Sequence, residues 1–160
     1  MKTKKKSRLK INLREIIDYI NTQSTESKVY IGVDSERVKE EERWYVDYLL
    51  CVVVHIDARH GCKVFGGVTR EPDFDKHIDK PRMRLVTEAY KAAELYLAIQ
   101  DEVAHDISIH LDINPNELFG SNCAIAEAMG YIKGVCGITP KVKPEAWAAS
   151  TAADRIKSIS

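Results

Sequence analysis

None of the four cysteines, Cys51, Cys62, Cys123 and Cys136, forms a CxxC pair. A structural zinc site generally needs that tighter spacing. The cysteines read as reduced, mostly buried small hydrophobes, which suits a cytoplasmic protein. No stretch has the apolar length of a membrane span. The first residues lack the apolar centre of a signal peptide, which argues against export. There is no internal repeat, and no low-complexity segment beyond the N-terminal tail. No Ser-His-acid arrangement is visible, so Ser35 is not read as a nucleophile. Nor is there an overall excess of charge: 24 basic residues face 24 acidic ones. The distribution is uneven, however. Residues 1–10 hold six Lys or Arg and no acid, so the other 150 carry 18 basic and 24 acidic residues, a net of −6. The basic tail fits either a phosphate-binding arm that works by counterion release or a solvated terminus. The expected organisation is a flexible basic tail over 1–11 and a single domain over 12–160, with an N-terminal helix at 12–21 and a core at 28–157.

What is present reads as a mixed α/β chain. Leu13, Ile16, Ile17 and Ile20 recur at helical spacing, with Asn12 as N-cap and Glu15 three residues on. Val29–Asp34 is a short β-branched and aromatic run that ends on an aspartate. Ser35–Arg43 is charged and reads as a loop. Trp44–Ile56 is a long β-rich run, 58–61 a turn, and Cys62–Thr69 a third strand in which Gly66-Gly67 suggests a bulge or close backbone approach. Arg82–Gln100 is the clearest helix. Its broad apolar face takes in Leu85, Val86, Ala89, Tyr90, Ala92, Ala93, Leu95, Tyr96, Leu97 and Ile99. Glu88 falls inside that face, between Leu85 and Ala92. Asp106–Asp112 alternates strictly and again ends on aspartate. Ser121–Val135 is a small-residue helix, Thr139–Lys143 a short strand stopped by Pro144, and Glu145–Ile156 a last helix. There Trp147, Ser150, Thr151 and Asp154 share one face. The order is helix, β-β-β, α, β, α, β, α.

Two strands end in aspartate, and two helices place an acid on an apolar or small-residue face. A desolvated carboxylate is expensive unless paired. Asp34, Glu88, Asp112 and Asp154 therefore form a candidate ligand set for hard divalent cations, which prefer oxygen donors. Two such ions can activate a water and stabilise a leaving oxygen in phosphodiester hydrolysis. His110 lies two residues before Asp112, so the two share a strand face; it is a ligand or proton shuttle, or a hydrogen-bonded group that orients Asp112. Lys143 holds a phosphate, neutralises the acids, or is a solvated strand end. Ser35 caps or orients Asp34. Arg155 binds phosphate or is solvated. Trp44 and Trp147 stack on bases or pack.

The stretches Gly32-Val-Asp-Ser35, Arg84-Leu-Val-Thr-Glu88, Ile109-His-Leu-Asp-Ile113, Lys143-Pro144 and Ala149-Ser-Thr-Ala-Ala-Asp-Arg155 resemble the ribonuclease H-like superfamily. Within it, the chain is most similar to the YkuK-like family of bacterial and phage proteins. The resemblance covers about residues 28–157. It implies a ribonuclease H-like fold: a mixed five-stranded sheet, three antiparallel strands then parallel ones, flanked by helices. It also implies a two-metal nuclease using Mg²⁺ or Mn²⁺. Asp34 would bridge both ions, Asp112 and Glu88 would complete one site, and Asp154 the other. Hydrolysis would leave a 3′-hydroxyl and a 5′-phosphate. The implied setting is the cytoplasm of a bacterial or phage-infected cell, and the implied partner is nucleic acid: RNA, an RNA–DNA hybrid or branched DNA. Typical ribonucleases H carry a histidine in a loop before the last acid, and no histidine follows His110 here. A basic hybrid-gripping hairpin is also missing. A junction resolvase and a non-catalytic nucleic-acid-binding module on the same fold therefore stand as alternatives. An ATP-dependent function of the actin-like kind would need glycine-rich phosphate loops, for which Gly66-Gly67 is a poor substitute.

Overall fold

Asn12 caps the first helix as expected. Its Oδ1 accepts the Glu15 N–H at 3.2 Å, which satisfies one of the orphan donors of a helix start. In the computed structural model, residues 10–74, 82–113, 122–143 and 145–148 are described. Helix α1 runs Leu13–Thr22 and buries Ile16, Ile17 and Ile20. It is followed by β1 (Lys28–Glu40), β2 (Arg43–His55), a 3₁₀ turn at Ile56–Ala58, β3 (Cys62–Pro72), α2 (Arg82–Gln100), β4 (Ile107–Leu111) and α3 (Asn122–Cys136). The sheet order is β3-β2-β1-β4. The pairs β1–β2 and β2–β3 are antiparallel, and β1–β4 is parallel. Parallel strands need a crossover, and α2 lies in the connection that reaches β4.

Three sequence expectations are corrected. Ser35–Arg43 is not a loop: β1 and β2 pair without a break from Lys28↔His55 to Glu40↔Arg43. The charged residues sit on an exposed hairpin arm, where a strand needs no apolar alternation. Its two-residue turn, Glu41-Glu42, has φ of 49° and 67°, the left-handed region that the tightest hairpins require. Gly66-Gly67 makes no bulge, because β3 pairs with β2 residue for residue from Cys62↔His55 to Pro72↔Tyr45. The fifth strand reduces to a parallel bridge, His110↔Lys141. Around it, Leu111 N–H donates to Lys141 O, Lys141 N–H to Ile109 O and Lys143 N–H to Ile113 O, at 2.8, 2.9 and 3.0 Å. Pro140 has no N–H to donate, so a regular ladder cannot extend through it.

Strand alternation sorts the sheet into two faces. Val29, Ile31, Val33, Val52, Val54, Ile109 and Leu111 join Ile16, Ile20, Leu85, Ala89, Ala92, Ile99 and Ile132 in the main core. The opposite face carries a smaller cluster of Cys51, Val53 and Ala148, with Tyr30 and Val64 against it. The broad apolar face of α2 is covered only in part. Tyr90 and Leu97 stay 42% and 39% exposed, and Tyr90 instead meets Tyr131 of α3, ring centroids 4.5 Å apart. Among the cysteines, Cys51 is buried as expected, Cys136 is half-buried and Cys62 is exposed. Among the described residues, no helix is long and apolar enough to cross a membrane. Residues 1–9 of the expected tail and most of the expected last helix, with Ser150, Thr151, Asp154 and Arg155, lie outside the described residues, whereas Ile11 packs against the core.

Candidate active site where β1 parts from β4

The parallel pairing of β1 with β4 ends at Val33↔Leu111. Asp34 and Asp112 are the next residue of each strand, at the fork where β4 stops and β1 continues beside β2. Asp34 is therefore mid-strand, not at a strand end. It pairs with Leu49, and its Oδ1 accepts the Ser35 N–H at 2.8 Å. Ser35, one residue on, turns to the helical face of the sheet. There its hydroxyl donates to Glu88 Oε1 at 2.5 Å.

Glu88 is 3% exposed, set between Leu85 and Ala92 as its place in the helix implied. Its Oε2 is buried with no hydrogen-bond partner among the described residues. Burial pushes its carboxyl up to about 8, because a low-dielectric site penalises the charged form. The Ser35 bond opposes that rise, the Asp34 carboxylate adds to it, Arg84 opposes it and Asp112 adds to it. Asp34 and Asp112 thus both act on Glu88 through space. Arg84 is a contributor that sequence reasoning did not assign. It precedes Glu88 by four positions on α2, a spacing that brings side chains together.

Asp112 has its own partner, the Lys143 ammonium, 2.8 Å from Oδ1. Of the readings offered for Lys143, the structure favours the one that sets it against the acids. His110 is 1% exposed. Its Nδ1 accepts the backbone N–H groups of Trp147 and Ala148, both at 3.2 Å. The ring therefore anchors the segment that leads into the expected last helix, rather than orienting Asp112. An accepting Nδ1 assigns the proton of the neutral ring to Nε2. Burial, with Lys141 adding to it, pushes the imidazole down to about 4. Trp147 packs at ring-centroid distances of 4.7 Å from Tyr30 and 5.4 Å from His110. Trp44 is exposed under the Arg37 guanidinium, 4.4 Å from the ring centroid.

The fork brings Asp34, Glu88 and Asp112 within electrostatic reach of one another. Ser35 holds both Asp34 and Glu88, through its N–H and its hydroxyl, and Lys143 holds Asp112; among the described residues no group of three or more His, Cys, Asp or Glu is gathered closely enough to hold a metal ion. Asp154 and Arg155 lie outside the described residues. No curated protein and no solved structure matches the chain. A family model described as Ribonuclease H-like matches residues 12–158. The match begins at Asn12, so α1 belongs to the matched region, where the sequence resemblance had started at residue 28. The chain therefore belongs to the ribonuclease H-like family.

Proposed function

We propose that this protein is a Mg²⁺- or Mn²⁺-dependent nuclease that hydrolyses phosphodiester bonds of nucleic acid at the β1–β4 fork. The observation that carries this reading is Glu88. A carboxyl is fully buried beside two further acids, with one oxygen lacking a partner among the described residues. Such an acid is destabilising for the fold alone and useful where a cation enters. The donor set is all oxygen, as hard divalent ions require. Asp34, Glu88, Asp112 and Asp154 would hold the metal. When bound, it supplies activation of a water and stabilisation of the leaving oxygen.

The chain's own groups prepare that site. Ser35 fixes one oxygen of Glu88 and leaves the other open. Burial favours the protonated form of Glu88 near neutral pH, and the carboxyl would have to ionise to hold a cation. Lys143 neutralises Asp112 and offers an ammonium to an incoming phosphate. The same ion pair supports a second reading, a nucleic-acid-binding module without turnover, in which Lys143 permanently takes the place of a cation.

The test is cleavage of labelled single-stranded RNA, RNA–DNA hybrid, duplex DNA and a four-way junction, each with Mg²⁺, Mn²⁺ or EDTA. Metal-dependent cutting lost in Asp34→Asn and Asp112→Asn, with both variants still folded, is expected. Unchanged cutting by Asp34→Asn refutes the proposal. Wild-type protein that binds the strands but neither cuts them nor takes up Mn²⁺ by calorimetry establishes the binding module instead.

A further inference from the structure

The sheet face that carries Tyr30 and His110 also holds a cleft of about 290 Å³, between the starts of β1 and β4 and the 138–141 edge segment. Its polar lining is Lys28, Tyr30, Asp106, Ser108, Thr139 and Lys141. Two ammonium groups and three hydroxyls there outnumber a single carboxylate. Lys28 and Lys141 are exposed and make no ion pair among the described residues. Burial holds the Tyr30 phenol above its usual range, with Cys62 adding to the effect, so it stays a hydroxyl donor at neutral pH. Two cations against one carboxylate, beside several hydroxyl donors, leave a net positive site for a phosphate diester, which accepts hydrogen bonds and carries one negative charge.

We propose that this cleft is a phosphate subsite for the nucleic-acid strand, distinct from the acid cluster, with Lys28 and Lys141 as its cations. The proposal rests on the reading of nucleic acid as substrate and adds where the strand is gripped. Placement supports it. Lys141 bridges His110, two residues before Asp112, and Lys143 touches Asp112. Thr139 and Lys141 lie two positions apart in the extended edge segment, about 7 Å, and Lys143 follows in a turn from which its ammonium reaches Asp112. They form a polar run from the cleft to the acids. Lys28 precedes Asp34 by six residues in β1, about 20 Å at 3.3 Å per residue. That is the axial reach of about six nucleotides along one strand of a duplex. Both lysines are open to solvent, which suits a wet backbone contact rather than an enclosed small molecule.

The test is fluorescence anisotropy on the full chain in EDTA, with labelled strands and hybrids of about 12 nucleotides, long enough to span the ~20 Å run. Lys28→Gln, Lys141→Gln and the double variant are compared with wild type, and unchanged melting temperatures confirm folding of these exposed-site variants. The basic tail contributes equally to all four proteins. The double variant should bind these ligands about 10- to 100-fold more weakly, with a salt slope lower by about two and by about one in each single variant. Wild-type affinity and salt slope in the double variant overturn the proposal. If wild type never cuts and the double variant still loses strand affinity, the cleft stands and the nuclease reading falls. If wild type cuts and the double variant binds as wild type does, the reverse holds.

Discussion

Replacing Glu88 by glutamine should stabilise the metal-free protein, and by more as the pH rises. The carboxyl titrates at about 8 in the folded chain, against an ordinary value of 4.5. An acid whose folded pKa is raised contributes its stability fully below about 4.5, and that contribution is lost as pH climbs through about 8. Each pH unit between those two values is worth about 1.4 kcal/mol. Between about pH 5 and about pH 9 the wild type should therefore lose roughly 4 kcal/mol from this one group. Glutamine has nearly the same shape, can hydrogen-bond the Ser35 hydroxyl and carries no charge at either pH, so its curve lacks that slope. The assay is urea unfolding of both proteins in EDTA at the two pH values, with the denaturant slopes compared to confirm that the same surface is exposed. The expected result is near-equal stability at the acidic pH and a clear advantage for Glu88→Gln at the alkaline one. A wild-type-to-variant difference that is the same at both pH values refutes the argument. It would mean that the buried carboxyl is solvated or paired well enough to ionise normally.

Two further perturbations follow from the same kind of reasoning. His110→Phe keeps a ring against Tyr30 and Trp147 but leaves the N–H groups of Trp147 and Ala148 without their acceptor. The expected loss is about 2–3 kcal/mol, with partial recovery in His110→Asn, whose side-chain oxygen can accept; equal stability of the Phe variant in urea unfolding would contradict the anchoring role. Because the folded imidazole lies at about 4, below its ordinary 6.5, its contribution is full above 6.5 and is lost as pH falls toward about 4, a loss that both variants should lack. In the hairpin, Glu41→Asn with Glu42→Gly supplies residues suited to positive φ and should raise stability by about 1 kcal/mol, read as an upward shift of the urea midpoint.

Much of the framework was legible in the order of residues. Asn12 with Glu15, the apolar row of α2 and the strict alternation before Asp112 report local geometry, and backbone periodicity fixes which neighbours share a face. Glu88 was visible for that reason: a charge inside an apolar row is anomalous wherever the helix packs. The charged arm of β1 was not legible, because a solvent-exposed hairpin carries no apolar alternation to distinguish it from a loop. Nor could Pro140 by itself show that the fifth strand would shrink to a bridge, or the width of α2's apolar arc show that Tyr90 and Leu97 would stay uncovered.

By itself, then, the sequence determined which residues are acids and on which elements Asp34, Glu88 and Asp112 ride. Only the tertiary structure decided that β4 stops beside Val33, one residue short of Asp34, that Ser35 reaches Glu88, that Lys143 takes Asp112 and that His110 spends its acceptor on the backbone of Trp147 and Ala148. Periodicity is a property of near neighbours along the chain. The His110 and Ser35 contacts join residues 37, 38 and 53 positions apart, and the β1–β4 pairing joins residues more distant still. Strand pairing and side-chain burial bring them together, and no local pattern encodes either.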